Sequence, residues 1–310
     1  MTHQELREEI LRLKKEKNAL IMAHYYQRDE IQEIADFIGD SLALARQAAK
    51  TDADIIVMCG VHFMGETAKI LCPGKKVLVP DMAAGCSLAD SCDADDFRRF
   101  VEAHPGYTVI SYVNTSAAVK ALTDIVVTSG NARKIVESLP ADEKIIFGPD
   151  KNLGGYINSV ASRDMLLWQG ACHVHDRFSI DKIMDLKKEH PEAKILVHPE
   201  CRRPLQLIAD KVGSTAALLE FAEKDEAPEY IVVTESGILF EMRRKCSSKR
   251  FIPAPAEDSE CQCNECDYMK LNTLEKVYAA LRDEAPEIHV DPVVAAKAIR
   301  PIERMLELSV

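Results

Sequence analysis

The sequence contains three copies of one spacing pattern, and this repeat restricts the fold more than any other feature. Each copy is a short apolar, β-branched run that ends in polar residues and is followed, 17 residues after the first of them, by a hydroxyl side chain. The copies start 88 and 86 residues apart and pair His24 with Ser41, Tyr112 with Ser129 and His198 with Thr215. A period this regular indicates three copies of one structural unit.

Within each copy, apolar strand-like runs alternate with helical stretches over short links. The run DIIVM at 54–58 has counterparts in KIIFG at 144–148 and YIVVT at 230–234. Such alternation predicts parallel sheets that are covered by helices on both faces. We therefore predict an α/β fold of three homologous three-layer αβα domains around a pseudo-threefold axis, over residues 1–105, 106–191 and 192–310, the last with C-terminal helices.

In the first unit the pattern predicts three strands, at 19–23, 54–58 and 76–80. It also predicts a helix over 30–37 and a loop over 81–92. Ligands of parallel sheets bind at the carboxyl ends of the strands. We therefore expect the polar clusters at 24–26, 112–114 and 198–200 to share one site.

The composition excludes several classes of function. The chain has 310 residues and a net charge of −11, which argues against a nucleic-acid or anionic membrane surface. No apolar run approaches the roughly 18 residues of a membrane span, and Met1–Lys17 lacks the apolar core of a signal peptide. We expect a cytoplasmic protein with no nucleic-acid or membrane partner.

The ten cysteines are not expected to form disulfides in that compartment. Cys86 and Cys172 each follow the last strand predicted in their unit, and the third unit offers Cys261, Cys263 and Cys266. One thiolate from each unit suits an iron–sulfur cubane with one iron left open as a Lewis acid. Two alternatives stay open: ordinary buried cysteines, and a small zinc or redox element formed by the 261–266 run alone.

The three hydroxyl residues each precede a helical stretch. A single such residue is normally an N-cap, but three at one offset favour an additional role, because helix N-termini bind phosphate and carboxylate. Neither a G-x-G-x-x-G nor a P-loop motif supports a nucleotide site. Side chains typical of proton transfer stand at the strand ends: His24, Tyr26, Tyr112, His198 and Glu200.

Ten segments together resemble the quinolinate synthase family over nearly all of residues 20–277. They are AHYYQ at 23–27, GDSLALA at 39–45, MCGVHFMGETAKIL at 58–71, PDMAAGCSLADSC at 80–92, SYVNTSA at 111–117, WQGACHVH at 168–175, HPEC at 198–201, GST at 213–215, TESGILFEM at 234–242 and CDYMKLNTLEKV at 266–277. The resemblance implies three α/β domains around a central [4Fe-4S] cluster. It also implies condensation of iminoaspartate (iminosuccinate) with dihydroxyacetone phosphate to quinolinate in de novo NAD biosynthesis, with L-aspartate oxidase supplying the imine.

The resemblance also assigns residues to roles. The implied cluster ligands are Cys86, Cys172 and Cys266, the last chosen because an x-x-Met-Lys segment follows it. The implied substrate contacts are His24, Ser41, Tyr112, Val113, Asn114, Ser129, His198, Pro199, Glu200 and Thr215. The candidates for the chemistry itself are Glu200, Tyr26, His198 and Tyr112.

Two other functions stay open on the sequence. One is an iron–sulfur hydro-lyase that acts on another hydroxy acid. The other is a metal- or redox-sensing binding protein built on the same threefold repeat.

Overall fold

The computed structural model describes residues 1–257 and 264–309. In these ranges the chain forms three four-stranded parallel sheets with flanking helices, which confirms the α/β class and the threefold repeat. Cys261 and Cys263 lie outside the described residues. None of the helices in the described part has the length and apolar character needed to cross a bilayer.

The first sheet and its helices come from the N-terminal third. Its strands are β1 (Ala19–His24), β2 (Phe37–Gly39), β3 (Ile55–Cys59) and β4 (Lys76–Leu78). Its helices are α1 (His3–Glu16), α2 (Asp29–Ile34), α3 (Ser41–Lys50), α4 (His62–Leu71) and α5 (Ser87–Asp90).

The second sheet repeats the same order. Its strands are β5 (Thr108–Tyr112), β6 (Ile125–Val127), β7 (Ile145–Gly148) and β8 (Leu166–Leu167). Its helices are α6 (Ala94–Glu102), α7 (Ala117–Lys120), α8 (Ala132–Ser138), α9 (Lys151–Val160) and α10 (His173–Asp176).

The third sheet is followed by the C-terminal helices. Its strands are β9 (Lys194–Val197), β10 (Lys211–Val212), β11 (Glu229–Val233) and β12 (Arg250–Pro253). The helices of this part are α11 (Ile180–Glu189), α12 (Arg203–Leu207), α13 (Thr215–Lys224), α14 (Ile238–Lys245), a 3₁₀ turn (Met269–Leu271), α15 (Leu274–Asp283) and α16 (Pro292–Leu308).

Each sheet has its second strand at one edge, next to the first, then the third, with the fourth at the other edge. The prediction of three strands in the first unit is therefore wrong, because it missed β2. The predicted helix over 30–37 is also wrong at its end: α2 stops at Ile34, and Ala35 is already extended. The short edge strands span only two or three residues, too few to show a period of two.

A reciprocal pair of hydrogen bonds made by an aspartate explains why each short strand begins where it does. The carboxylate of Asp36 accepts the backbone N–H of Ile21 at 2.9 Å, and the N–H of Asp36 returns a bond to the carbonyl of that residue. Asp124 and Asp210 repeat this reciprocal pairing at the equivalent place in the other two units. An aspartate held in this way ends the preceding helix and starts the edge strand in the same register each time.

The loop predicted over 81–92 contains a helical turn. Cys86 is the N-cap of α5, and its carbonyl accepts the N–H of Asp90 at 2.9 Å. Cys172 begins α10 in the same way. The loop prediction is therefore wrong for Ser87–Asp90, whose four residues give no amphipathic period in the sequence.

The two C-terminal helices pack away from the sheet that precedes them in the chain. Leu274 and Val277 of α15 lie in the core formed by α1 and the first sheet. Ile302 and Met305 of α16 lie in a core shared by the first and second sheets. The boundaries at residues 105 and 191 stay a prediction, but these helices tie the three units into one body.

Candidate active site

One cavity of about 700 Å³ lies where the carboxyl ends of the three sheets meet. Twelve of the residues predicted from the sequence line it together: His24, Tyr26, Ser41, Cys86, Tyr112, Asn114, Ser129, Cys172, His198, Glu200, Thr215 and Cys266. They come from all three units, as expected for ligand sites at strand ends.

Two further predicted residues, Val113 and Pro199, do not line this cavity. Their backbone carbonyls point backwards instead: that of Val113 accepts a bond from Lys120 at 2.8 Å, and that of Pro199 accepts one from Gln206 at 2.9 Å. In each loop the strand-end residue and the second residue after it face the cavity, and the residue between them is held from behind.

The interpretation of the hydroxyl residues as helix caps is wrong, because none of the three is the N-cap of its helix. Asp40 is the N-cap of α3, and its carboxylate accepts the N–H of Ala43. Ser214 is the N-cap of α13. Ser41 and Thr215 are each the first residue of their helix, so their hydroxyls are not used for capping and line the cavity.

In the second unit the hydroxyl stands one turn before its helix. Asn131 precedes α8, and its side-chain oxygen accepts the N–H of Thr128 at 2.6 Å. Ser129 lines the cavity, and its Oγ lies 3.3 Å from Nε2 of His198. The side-chain oxygens of Thr128 and Asn114 are buried at the cavity, and neither has a hydrogen-bond partner among the residues that the structure describes. Orphaned buried polar atoms of this kind mark positions where a ligand completes the hydrogen bonding.

The two strand-end histidines are neutral hydrogen-bond donors. The N–H of Tyr26 donates to Nδ1 of His24 at 3.2 Å, and the N–H of Glu200 donates to Nδ1 of His198 at 3.4 Å. Nδ1 is thus an acceptor in both rings, which leaves the proton on Nε2. Burial lowers the pKa of each imidazole to about 3, so both are uncharged near neutral pH.

Glu200 is a buried carboxylate whose charge is supported by a histidine that the sequence analysis did not select. Its Oε2 lies 2.8 Å from Nδ1 of His175, whose side chain is 2% exposed. Burial alone would raise the pKa of Glu200. The nearby charge and hydrogen bond of His175, with His198 and the Tyr112 hydroxyl, instead lower the pKa of that carboxyl.

A chain of hydrogen bonds connects Glu200 to Tyr26. Nε2 of His175 lies 2.9 Å from the hydroxyl of Thr234, and that hydroxyl lies 2.8 Å from the hydroxyl of Tyr26. The Tyr26 hydroxyl also lies 2.7 Å from Oγ1 of Thr215. Burial raises the pKa of Tyr26 well above that of a free tyrosine, so the phenol keeps its proton. The chain thus places a protonated phenol and an ionised carboxylate on one network.

The three cysteines are arranged alike. Cys86 is followed by backbone N–H groups, two and three residues later, that point to its sulfur, and Cys266 has the same arrangement. The sulfur of Cys172 accepts the backbone N–H of His175, three residues later. Burial raises the pKa of all three thiols, that of Cys86 to about 12 and that of Cys266 to about 11, and repulsion between Cys86 and the other two sulfurs adds to the effect. Metal ligation requires the thiolate form, so a bound cation would lower the pKa of these thiols.

Two buried carboxylates hold the cysteine loops in place. Oδ2 of Asp150 accepts the N–H of Cys172 at 3.2 Å, and Oε1 of Glu235 accepts the N–H of Cys266 at 3.1 Å. Each carboxylate stands two residues after the third strand of its sheet. In the first unit the equivalent position is Val61, which lines the cavity with an apolar side chain.

One tighter group of ligand atoms is present among the described residues. The ligand atoms of Cys172, His175 and Glu200 all lie within 4.8 Å of one another, so they form a candidate metal group. The sulfurs of Cys86, Cys172 and Cys266 do not form such a group, although they line one cavity.

The chain matches the family model described as "NadA: Quinolinate synthetase A protein" over residues 8–307. This chain belongs to that family. It is 54% identical over 305 residues to the quinolinate synthase of Chloroherpeton thalassium, covering 98% of this chain and 95% of that protein. It is 56% identical over 300 residues to the quinolinate synthase of Microcystis aeruginosa, covering 97% and 94%.

The quinolinate synthase of Synechocystis sp. is 54% identical to this chain over 297 residues, which cover 96% of this chain and 93% of that protein. The match covers all three sheets, so it includes the residues of every unit that line the cavity. The family membership confirms the resemblance drawn from the ten sequence segments.

Proposed function

We propose that this chain is a quinolinate synthase that condenses iminoaspartate (iminosuccinate) with dihydroxyacetone phosphate to quinolinate, with release of phosphate and two waters. The proposal depends on one observation: one cysteine from each unit lines the same cavity. Hydroxyl groups that do not cap a helix and neutral histidines line this cavity as well. The family and the relatives named above support the same reaction.

The donor set fits an iron–sulfur cluster. Cys86, Cys172 and Cys266 would hold a [4Fe-4S] cluster, because three soft thiol ligands line one cavity and need positive charge to ionise. When bound, the cluster would supply an open iron as a Lewis acid for loss of hydroxide from the substrate.

Neutral donors of the chain would bind the anionic substrates. Nε2–H of His24, Nε2–H of His198 and the Ser41 hydroxyl point to the cavity from three different segments. Ser41 and Thr215 also open helices of ten residues each, whose first N–H groups favour phosphate or carboxylate. The Asn114 amide would add its NH₂ group as a donor, and its side-chain oxygen, which lacks a partner in the described protein, would accept a hydrogen bond from a protonated group of a substrate.

Glu200 and Tyr26 would move the protons. An ionised Glu200 is a base toward the carbon or nitrogen acids of the substrates, and the protonated Tyr26 is a donor on the same network. Tyr112, whose hydroxyl donates to Glu200, would hold that carboxylate in position. His198 would act as a hydrogen-bond donor to substrate beside them rather than as an acid, because its pKa is lowered by burial.

The imine substrate would come from L-aspartate oxidase, and the reaction would take place in the cytoplasm. The eight described cysteines are all free thiols, which fits a reducing compartment.

One observation favours a second candidate, a protein that binds a single metal ion. Cys172, His175 and Glu200 offer one sulfur, one nitrogen and one oxygen ligand within 4.8 Å. Such a set suits zinc. A hydro-lyase acting on another hydroxy acid would share the cluster but not the product.

Anaerobic reconstitution with iron and sulfide tests the proposal. We expect about four irons and four sulfides per chain, together with quinolinate formed from chemically generated iminoaspartate and dihydroxyacetone phosphate. One zinc per chain would support the single-ion alternative. A loaded cluster with dehydration of a different hydroxy acid, and no quinolinate, would support the hydro-lyase.

A further inference from the structure

A buried polar side chain occurs in each unit eight residues after the strand-end residue that opens the cavity loop. These residues are Gln32 in α2, Lys120 in α7 and Gln206 in α12, and they are 1%, 0% and 8% exposed. None of them lines the cavity. A lysine with no exposed surface requires a specific function, because burying its charge is costly.

Each of the three donates to the same two carbonyls of its own loop. Nε2 of Gln206 donates to the carbonyls one and three residues after His198, at 2.9 and 2.7 Å. Nε2 of Gln32 does the same after His24, at 3.2 and 2.9 Å. Nζ of Lys120 donates to the carbonyl one residue after Tyr112 at 2.8 Å, and also to the carbonyl of the third residue.

A third contact of each donor crosses to a neighbouring unit. Gln32 of the first unit donates to the carbonyl of Gly237 in the third unit at 3.0 Å. Gln206 of the third unit donates to the carbonyl of Asn152 in the second at 3.4 Å. The Lys120 ammonium of the second unit lies 5.4 Å from the ring centroid of Phe63 in the first, a cation–π distance.

The three crossing contacts close a ring. Gly237, Asn152 and Phe63 each stand four residues after the third strand of their own sheet. The close approach explains the glycine, since a Cβ at position 237 would lie 2.8 Å from the Cα of Tyr26. The contacts therefore run from the first unit to the third, to the second and back to the first.

The three side chains share a nitrogen that donates hydrogen bonds, but only two of them are amides. The side-chain oxygens of Gln32 and Gln206 are buried and have no partner in the described protein. Lysine has three donors and no acceptor, so Lys120 makes the same bonds without an orphaned oxygen.

We propose that Gln32, Lys120 and Gln206, hereafter the donor ring, are positioning residues for the reaction. Each of them holds its cavity loop by hydrogen bonds on the side away from the cavity, so that the strand-end residue and the second residue after it face the cavity. Each also contacts a neighbouring unit and so fixes the position of its loop relative to that unit. The proposal rests on the proposed function, because the pairs are the residues assigned to substrate and proton transfer there. The donor ring thereby holds the three cavity loops in fixed positions relative to one another.

Lys120→Met and Lys120→Gln test the ring most sharply. The methionine keeps the length and removes every donor, whereas the glutamine installs the residue that the equivalent position carries in the other units. The carboxylate of Glu66 interacts electrostatically with the Lys120 ammonium, and it keeps a partner in both variants because its Oε2 accepts the N–H of Ala117 at 2.9 Å. Lys188→Met and Lys188→Gln, at a side chain that is 75% exposed, are the matched controls.

The assays are quinolinate formation, cluster content and backbone amide hydrogen exchange of residues 113–116. We expect Lys120→Met to lose at least about 10-fold in kcat/KM, with wild-type cluster content and faster exchange in that loop. We expect Lys120→Gln to restore both, and the Lys188 controls to change neither. Gln206→Met repeats the test in the third unit if Lys120→Met does not fold.

Two results would overturn the donor ring. The first is wild-type kcat/KM and loop exchange in Lys120→Met. The second is a Lys120→Gln protein as impaired as Lys120→Met, which would assign the role to the charge. Failure of the proposed function is a separate result, because it appears as absence of quinolinate from the wild-type protein, whereas the exchange measurement needs no turnover.

Discussion

Thr234 offers the sharpest test of the network that joins Glu200 to Tyr26. Its hydroxyl links His175, which bonds to Glu200, with Tyr26: it lies 2.9 Å from Nε2 of His175 and 2.8 Å from the Tyr26 hydroxyl. Thr234→Val keeps the shape and removes that atom. Nε2 of His175 then loses its hydrogen bond to Thr234, while the Tyr26 hydroxyl keeps its bond to Thr215 at 2.7 Å.

The size of the effect follows from the group left unpaired. A buried polar group that loses its partner costs about 1 to 3 kcal/mol. If that loss falls on the transition state, kcat decreases about 5- to 160-fold. We expect KM to change little, because Thr234 does not line the cavity. We expect cluster content to be that of the wild type, because Thr234 bonds to none of the three cysteines.

The assay is the steady-state rate of quinolinate formation by the reconstituted protein, with iron content measured on the same samples. Thr234→Ser, which keeps the hydroxyl, should recover most of kcat. Thr67→Val is the matched control: Thr67 is buried, but its hydroxyl bonds only to the carbonyl of Phe63 in its own helix, at 2.8 Å. A Thr234→Val protein with wild-type kcat, or a serine variant as slow as the valine variant, would refute the role of the network.

Three further predictions concern the cluster, the base and the histidines. Replacing Cys86 with alanine should abolish the brown cluster absorbance and quinolinate formation, and a fully loaded, active variant would exclude it as a ligand. Glu200→Gln should lower kcat by about 10²- to 10⁴-fold with iron content unchanged, and normal turnover would remove it as the base. His24 and His198, with pKa values near 3 when folded, bind protons only when the protein unfolds, so stability is lost as pH falls below about 6.5. From pH 7 to pH 5 each should cost about 2 kcal/mol of the free energy of unfolding of the apo-protein, and a flat denaturation profile over that range would contradict this.

The repeat predicts the cavity well because of where parallel strands end. The residue that closes the first strand of each unit must stand at the carboxyl edge of its sheet, so the three strand-end clusters meet wherever the sheets meet. The offset of 17 residues then finds Ser41 and Thr215, because one short helix and one short strand separate each from its strand end, and the elements with their links have the same total length in both units. Register in the second unit differs locally, and Ser129 reaches the cavity without starting a helix.

Residues after the third strands were missed for a physical reason. The runs DIIVM, KIIFG and YIVVT identify the third strands of the three units. The residues that follow these strands, Asp150, Thr234 and Glu235, were not predicted as site residues. Their equivalents in the first unit are not acidic, so no repeated residue type marks the position. His175 lay within a segment already recognised, WQGACHVH, but its contact with Glu200 joins two units and depends on how they pack.

The edge strands were missed because they are defined by a side chain and not by a pattern. Each begins where an aspartate pairs with the central strand, and only the spacing of Asp36, Asp124 and Asp210 records it. That spacing was available in the sequence, since these residues repeat with the same period as the cavity loops.

The repeat also separates scaffold from chemistry. Positions that shape each unit keep their chemical type in all three copies: the aspartate of the edge strand is invariant, and the donor ring keeps a buried donor. At the cavity the hydroxyls and the cysteines also keep their type, but the second residue after the strand end differs between copies and is tyrosine, asparagine or glutamate. A symmetric scaffold can hold an asymmetric substrate only if its inner side chains diverge, so within an internal repeat the residues that differ at a shared cavity are the ones that distinguish one end of the ligand from the other.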